Sequence, residues 1–169
     1  MLKINKLFVP FILFAGILTS CNWQYDPDKE TRDYTDYAEY TIKIEDMYQK
    51  GDNYFVYAYR PDCKDCVPLK GYILDYLDEL KAGTKSKPLY LLEFHNINSD
   101  EGRLERAYFK TKPAEYKGKD AEIKTLTEEM VGAKVVEDTY FFGTPSLYDI
   151  QNNSLNWMYI ESKQIKKVL

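Results

Sequence analysis

The sequence predicts an α/β fold, a central mixed β-sheet flanked by helices, on three observations. Tyr54-Phe55-Val56-Tyr57-Ala58-Tyr59 is aromatic and β-branched throughout, the pattern of a strand covered on both faces. Apolar residues at Leu69, Ile73, Leu74, Leu77 and Leu80 then repeat at helical spacing, and Leu89-Tyr90-Leu91-Leu92-Glu93-Phe94 reads as a second strand. Strand, helix and strand of this length make a right-handed crossover with a parallel pair. Finally, two apolar runs, 147–150 and 155–160, flank Gln151-Asn152-Asn153-Ser154, whose turn chemistry predicts a β-hairpin.

Taken in order, the folded part is expected to start near Ala38. Tyr40 to Ile44 alternates as a short strand, Glu45 to Lys50 suits a brief polar helix, and Gly51-Asp52-Asn53 is a turn. Arg60-Pro61-Asp62 ends the central strand, and the helix after it stops at Gly83. The mostly charged stretch 99–138 holds two weak helical segments, near 102–109 and 120–131. An extended segment, 140–150, is interrupted by Pro145, and the tail 161–169 closes as a helix. The expected order is β-α-β-α-β-α-β-β-α, without internal repeats.

The first segment reads as an address. Lys3 and Lys6 precede an apolar run, Leu7 to Leu18, that is too short to span a bilayer, and Leu18-Thr19-Ser20-Cys21 follows. This resembles the bacterial lipoprotein signal, which implies a signal peptide over 1–20 and a mature chain acylated at Cys21. The alternatives are an ordinary signal peptide with an incidental cysteine, or an uncleaved anchor. Multiple acyl chains would hold the protein at the bacterial cell membrane, facing outside the cytoplasm. Residues 21–37 lack periodicity and read as a flexible tether, although their aromatic side chains could pack on the domain instead. The net charge of -4 argues against a nucleic-acid partner.

With Cys21 assigned to lipid, Cys63 and Cys66 are the remaining thiols. Outside the reducing cytosol such a pair is free to cycle through a disulfide. A structural staple is the weaker alternative, because bridging near neighbours removes little unfolded-state entropy. Unpaired backbone N–H groups and the helix dipole favour a thiolate at Cys63, expected to be the exposed sulfur, with Cys66 a turn deeper.

A strand ending in a turn, Cys-x-x-Cys opening a helix, a second strand, a helical region, and Gly143-Thr144-Pro145-Ser146-Leu147 entering a hairpin together resemble the thioredoxin superfamily. The resemblance covers about residues 38–169, and Phe55 to Cys63 is most similar to small thioredoxin-like proteins of Gram-positive bacteria, including the bacteriocin transport accessory type. It implies a thiol–disulfide oxidoreductase in which Cys63 attacks and Cys66 resolves, with no cofactor. It also implies that Pro145 is cis and that the Thr144 backbone holds an extended substrate strand. Without the resemblance, a trans proline at a strand edge is the ordinary reading. The implied partners are cysteine-containing exported proteins or peptides and a redox recycling partner, for a monomeric protein. The alternative function is a binding or accessory lipoprotein for secretion or bacteriocin export, in which the dithiol is secondary.

Several residues depart from the superfamily pattern. Tyr57 stands where many thioredoxins carry a buried Asp, Asp62 replaces a Trp, and Lys64-Asp65 replaces Gly-Pro, which leaves the direction of electron flow open. The connection over about 99–138 exceeds the usual length by roughly 20 residues and is a candidate for partner specificity. His95 and the two cysteines could join a carboxylate around zinc, but they lack paired ligand spacing, and no metal is expected. Val67 excludes haem attachment. Glu93, polar in an apolar strand, is a candidate proton relay for Cys66, although a place at the sheet rim is the commoner reason for such a residue.

Overall fold

The computed structural model describes residues 29–169. Its sheet has four strands, β1 (Asn53–Tyr59), β2 (Leu89–Glu93), β3 (Ser146–Gln151) and β4 (Ser154–Tyr159), in the spatial order β2-β1-β3-β4. β1 runs parallel to β2 and antiparallel to β3, which pairs antiparallel with β4. The helices are α1 (Val67–Lys81), α2 (Asp100–Ala107), α3 (Asp120–Met130) and α4 (Ser162–Val168).

The pleat of β1 sorts its side chains into two cores. Phe55, Tyr57 and Tyr59 pack with Leu69, Ile73, Leu74 and Leu77 of α1 and Ile165 of α4. Tyr54, Val56 and Ala58 pack on the opposite layer, with Leu126 and Met130 of α3. A strand with partners on both edges and helices over both faces has no solvent side, which explains its unbroken apolar run. α1 ends at Lys81 with Ala82 as its C-cap, and Gly83 takes φ 73°, a left-handed conformation that suits a helix stop. In the hairpin both Asn152 (φ 52°) and Asn153 (φ 54°) are left-handed, as a two-residue turn matching strand twist requires. A βαβ unit joined through β1–β3 pairing to a ββα unit is the thioredoxin-like layout.

Two stretches near the start of the domain depart from expectation. The strand over Tyr40 to Ile44 does not form; Thr41 makes a single parallel bridge to Leu91, and the Ile42 N–H donates to the Leu91 carbonyl at 2.9 Å. Ile42 and Ile44 are buried as the alternation predicts, but the backbone turns into a 3-10 helix at Ile44–Asp46, so the ladder cannot extend. That short turn is also all that appears of the helix expected over Glu45 to Lys50.

The second concerns the tether, whose residues 29–37 are described and packed. Tyr34–Tyr40 forms a 3-10 helix capped by Asp33, and Tyr34 and Tyr37 are buried in the α1-side core. Arg32 bonds Glu30, Asp75 and Asp78, and the Tyr37 hydroxyl donates to Asp78 at 2.6 Å. Two aromatic rings that can be buried outweigh the charged composition around them. The expected signal segment and Cys21 lie outside the described residues. In the 99–138 connection, Phe109, Leu126, Met130 and Val136 are buried in the α3-side core, so it is packed structure rather than a loose excursion.

Candidate redox site

β1 delivers the chain to the site at Tyr59, and Arg60-Pro61-Asp62 turns it. The Cys63 N–H donates to the Arg60 carbonyl at 3.2 Å and the Cys66 N–H to the Cys63 carbonyl at 3.0 Å, so the two cysteines span a tight turn. Cys66 is the N-cap of α1, with Pro68 in its first turn. Cys63 and Cys66 form a disulfide with their Cα atoms 5.2 Å apart. The cysteines therefore sit just ahead of the helix rather than on its first full turn. Burial does not rank them either: Cys63 is 5% exposed and Cys66 4%, against the expectation of one exposed sulfur and one deep one.

The Thr144–Pro145 peptide bond is cis. Gly143, at φ 130°, adopts a backbone that side-chain-bearing residues rarely take, and its carbonyl accepts from the Ser146 hydroxyl at 2.6 Å. The Thr144 carbonyl oxygen lies 3.3 Å from the Cys63 sulfur. The Thr144 N–H donates to no described residue. Cys63, Cys66, Thr144 and Pro145, far apart in the chain, thus converge where the C-terminal end of β1, the head of α1 and the entry to β3 meet.

On one side of the disulfide lies a cavity of about 300 Å³, bordered by Asp33, Tyr59, Cys63, Cys66, Lys70 and Glu93. The Tyr59 hydroxyl donates to Glu93 at 3.1 Å, and burial together with that carboxylate pushes the phenol well above its ordinary pKa. The Tyr59 ring packs 4.1 Å from that of Tyr34 and stacks on Tyr57 at 6.0 Å. Tyr57 is fully buried, and burial pushes its phenol up as well, so this position supplies no ionised group near neutral pH. Glu93 is exposed at the sheet rim yet lines the cavity that reaches Cys66.

The turn before Cys63 is tied to the β2–α2 connection. Asp62 pairs with Arg60 at 3.1 Å and accepts from Asn96 Nδ2 at 2.7 Å. His95 contacts Glu105 twice, through its backbone N–H (2.8 Å) and its Nδ1 (2.6 Å), and this bond raises the imidazole pKa. The lone histidine is therefore engaged by a carboxylate of α2. No group of three or more His, Cys, Asp or Glu side chains placed to hold a metal occurs among the described residues. Sequence reading missed Tyr34 and Asn96 at this site; each touches it through a partner more than twenty positions away, and no motif marks them.

No protein-family model matches the sequence, and no curated protein matches it. Among solved structures the chain is similar to one described as "A putative oxidoreductase with a thioredoxin fold", at 12% identity and a TM-score of 0.36, over 78% of this chain and 96% of that one. A likeness at that level carries nothing about chemistry, and the assignment rests on the chain's own strand order and crossover. On those grounds the protein has a thioredoxin-like fold, with a Cys-x-x-Cys disulfide at the head of its first helix.

Proposed function

We propose that the protein is a lipid-anchored, extracytoplasmic thiol–disulfide oxidoreductase acting on cysteines of exported proteins or peptides. The observation that carries the reading is the Cys63–Cys66 disulfide lying between the head of α1 and the Thr144–Pro145 segment. A substrate thiolate attacking Cys63 breaks the Cys63–Cys66 bond, forms a mixed disulfide and releases Cys66 as a thiolate. A second substrate thiolate then displaces Cys63, leaving a substrate disulfide and a reduced dithiol; two electrons have passed to the protein. Run backwards, the same steps reduce a substrate, with Cys63 attacking and Cys66 resolving. Neither direction needs a cofactor, but each needs a partner that resets the pair. Thr144, with its uncommitted N–H, and Pro145 position an extended substrate segment.

The cellular setting rests on the sequence alone. Leu18-Thr19-Ser20-Cys21 supplies the lipidation box, and C21A should move the protein out of the membrane fraction. For the redox reading, C66A should accumulate mixed disulfides through Cys63 in cells, and C63A should abolish them. Absence of any trapped species, with a disulfide inert to thiols, overturns it. An accessory role in secretion or bacteriocin export, favoured by the near-complete burial of both cysteines, instead requires that a C63A/C66A chain still restore a deletion strain.

A further inference from the structure

Beside the Thr144 end of the redox site runs a cleft of about 570 Å³, lined by Arg60, Arg106, Lys110 and Lys112 and by no Asp or Glu. On a chain of net charge -4 this is a local reversal of sign. Arg60 is paired with Asp62, but Arg106, Lys110 and Lys112 form no ion pair with any described carboxylate. All three are held in place by other means. The Arg106 guanidinium donates to the backbone carbonyls of Gly102 (2.5 Å) and His95 (3.2 Å) and lies over the Phe141 ring at 5.3 Å. Lys110 stands over the Tyr140 ring at 4.7 Å, its backbone fixed by a 2.9 Å bond to the Thr139 carbonyl. Lys112 stands over Tyr116 at 4.9 Å and Phe142 at 5.5 Å, and burial holds its amine below the ordinary lysine pKa. Arg106 and Lys112 are half-buried, and such cations without counter-ions are costly unless an anion completes them, whereas Lys110 is exposed and adds its charge from the rim.

We propose that this cleft binds an acidic, extended segment of the substrate protein next to its reacting cysteine, with Arg106, Lys110 and Lys112 as the specificity-determining cations. The placing of the cysteine rests on the redox reading; the charge preference does not. A small anion needs donors converging on one point, whereas these cations sit over separate aromatic groups along the cleft. Its lining also includes Thr144, whose free N–H offers a main-chain bond to an extended peptide. The wall that carries all three belongs to the long connection between β2 and β3, so the inserted length has a use: it turns one flank of the site into a sorting surface.

The test is equilibrium binding of fluorescent peptides, identical except for Glu, Ser or Lys flanking a central Ser, to the full chain carrying C63A/C66A. The Glu peptide is expected to bind at least about tenfold tighter than the Lys peptide at low ionic strength, with the gap closing as salt is added. Adding R106Q/K110Q/K112Q should erase the preference, as should K110Q/K112Q in larger part if the triple variant folds poorly. The distant set K124Q/K134Q/K163Q should leave it intact. Equal affinities, a preference that survives the cleft substitutions, or displacement of the Glu peptide by an equal concentration of inorganic phosphate would overturn the proposal. Because the binding chain has no thiols in its active pair, each of those results is independent of whether Cys63 is reactive, which the trapping experiment decides.

Discussion

The sulfur of Cys63 lies 3.3 Å from the carbonyl oxygen of Thr144, a residue 81 positions later in the chain. The disulfide thus faces a segment in which the Thr144 N–H donates to no described residue, so an attacking group has a template beside its target. The same bond does little for the fold, because it closes a loop between residues only 3 apart. Reduction, or the C63A/C66A change, should lower stability by about 2 kcal/mol or less. Urea unfolding of oxidised and reduced protein measures this, and a much larger loss would make the bond a structural staple.

Tyr34 separates a packed amino-terminal segment from a loose one. Its ring is 8% exposed and lies 4.1 Å from Tyr59. Y34A should cost about 3 kcal/mol, in the range for removing a buried aromatic side chain. A change within experimental error would return residues 29–37 to the tether. Denaturant midpoints at constant m-value give the answer.

His95 gives a pH-dependent link between β2 and α2. Its pKa is raised by the Glu105 hydrogen bond and charge, so the link is complete below the ordinary histidine value of about 6.5 and is lost as pH rises through the raised folded value. As the only histidine in the sequence, it gives one assignable imidazole resonance. E105Q should bring its titration down toward the unperturbed value, and the wild-type α2 amides should exchange faster above the transition than below it.

Asp149 is buried in β3 and forms an ion pair with Lys87, while Asn156 Nδ2 donates to its other oxygen at 2.8 Å. Lys87 also stands 3.8 Å over the Phe55 ring. D149A leaves that amine without its carboxylate and should cost about 2 to 3 kcal/mol, toward the lower end for a broken buried pair because Lys87 can reach water. D149N keeps an acceptor for Asn156 and should cost less. Thermal unfolding of the two variants ranks them.

Gly102 lets α2 lie against the backbone of Asn96. A Cβ there would overlap the Asn96 carbonyl group and meet Arg106 Nη1 at 2.9 Å. G102A should cost about 1 to 3 kcal/mol through displacement of α2. It should also weaken binding of the Glu peptide, because Arg106 bonds the Gly102 carbonyl. Unchanged binding with lowered stability would show that the cleft does not depend on α2 placement.

Local rules settled much of this molecule before any tertiary contact was known. The apolar run of β1, the helical spacing of α1, the short segment to β2 and the asparagine pair of the hairpin each act within a few residues, so their signals survive in a linear string. Cys63 and Cys66 were legible for the same reason, their spacing being a property of one turn. Tyr40 to Ile44 misled because alternation reports burial and not hydrogen bonding: Ile42 and Ile44 are inside, but the backbone turns before a ladder can form.

Read alone, the sequence was enough for the β-α-β order from Asn53 to Glu93, the cysteine pair at a strand-to-helix junction, and the hairpin that follows Thr144-Pro145. It took the tertiary structure to show that Tyr34 and Tyr37 belong to the core, that both cysteines are buried, and that Arg106, Lys110 and Lys112 line one flank of the same site. The physical reason is range. Propensity and periodicity act between neighbours, whereas burial and unpaired charge depend on which distant segments fill the space around a residue, and no short motif encodes that.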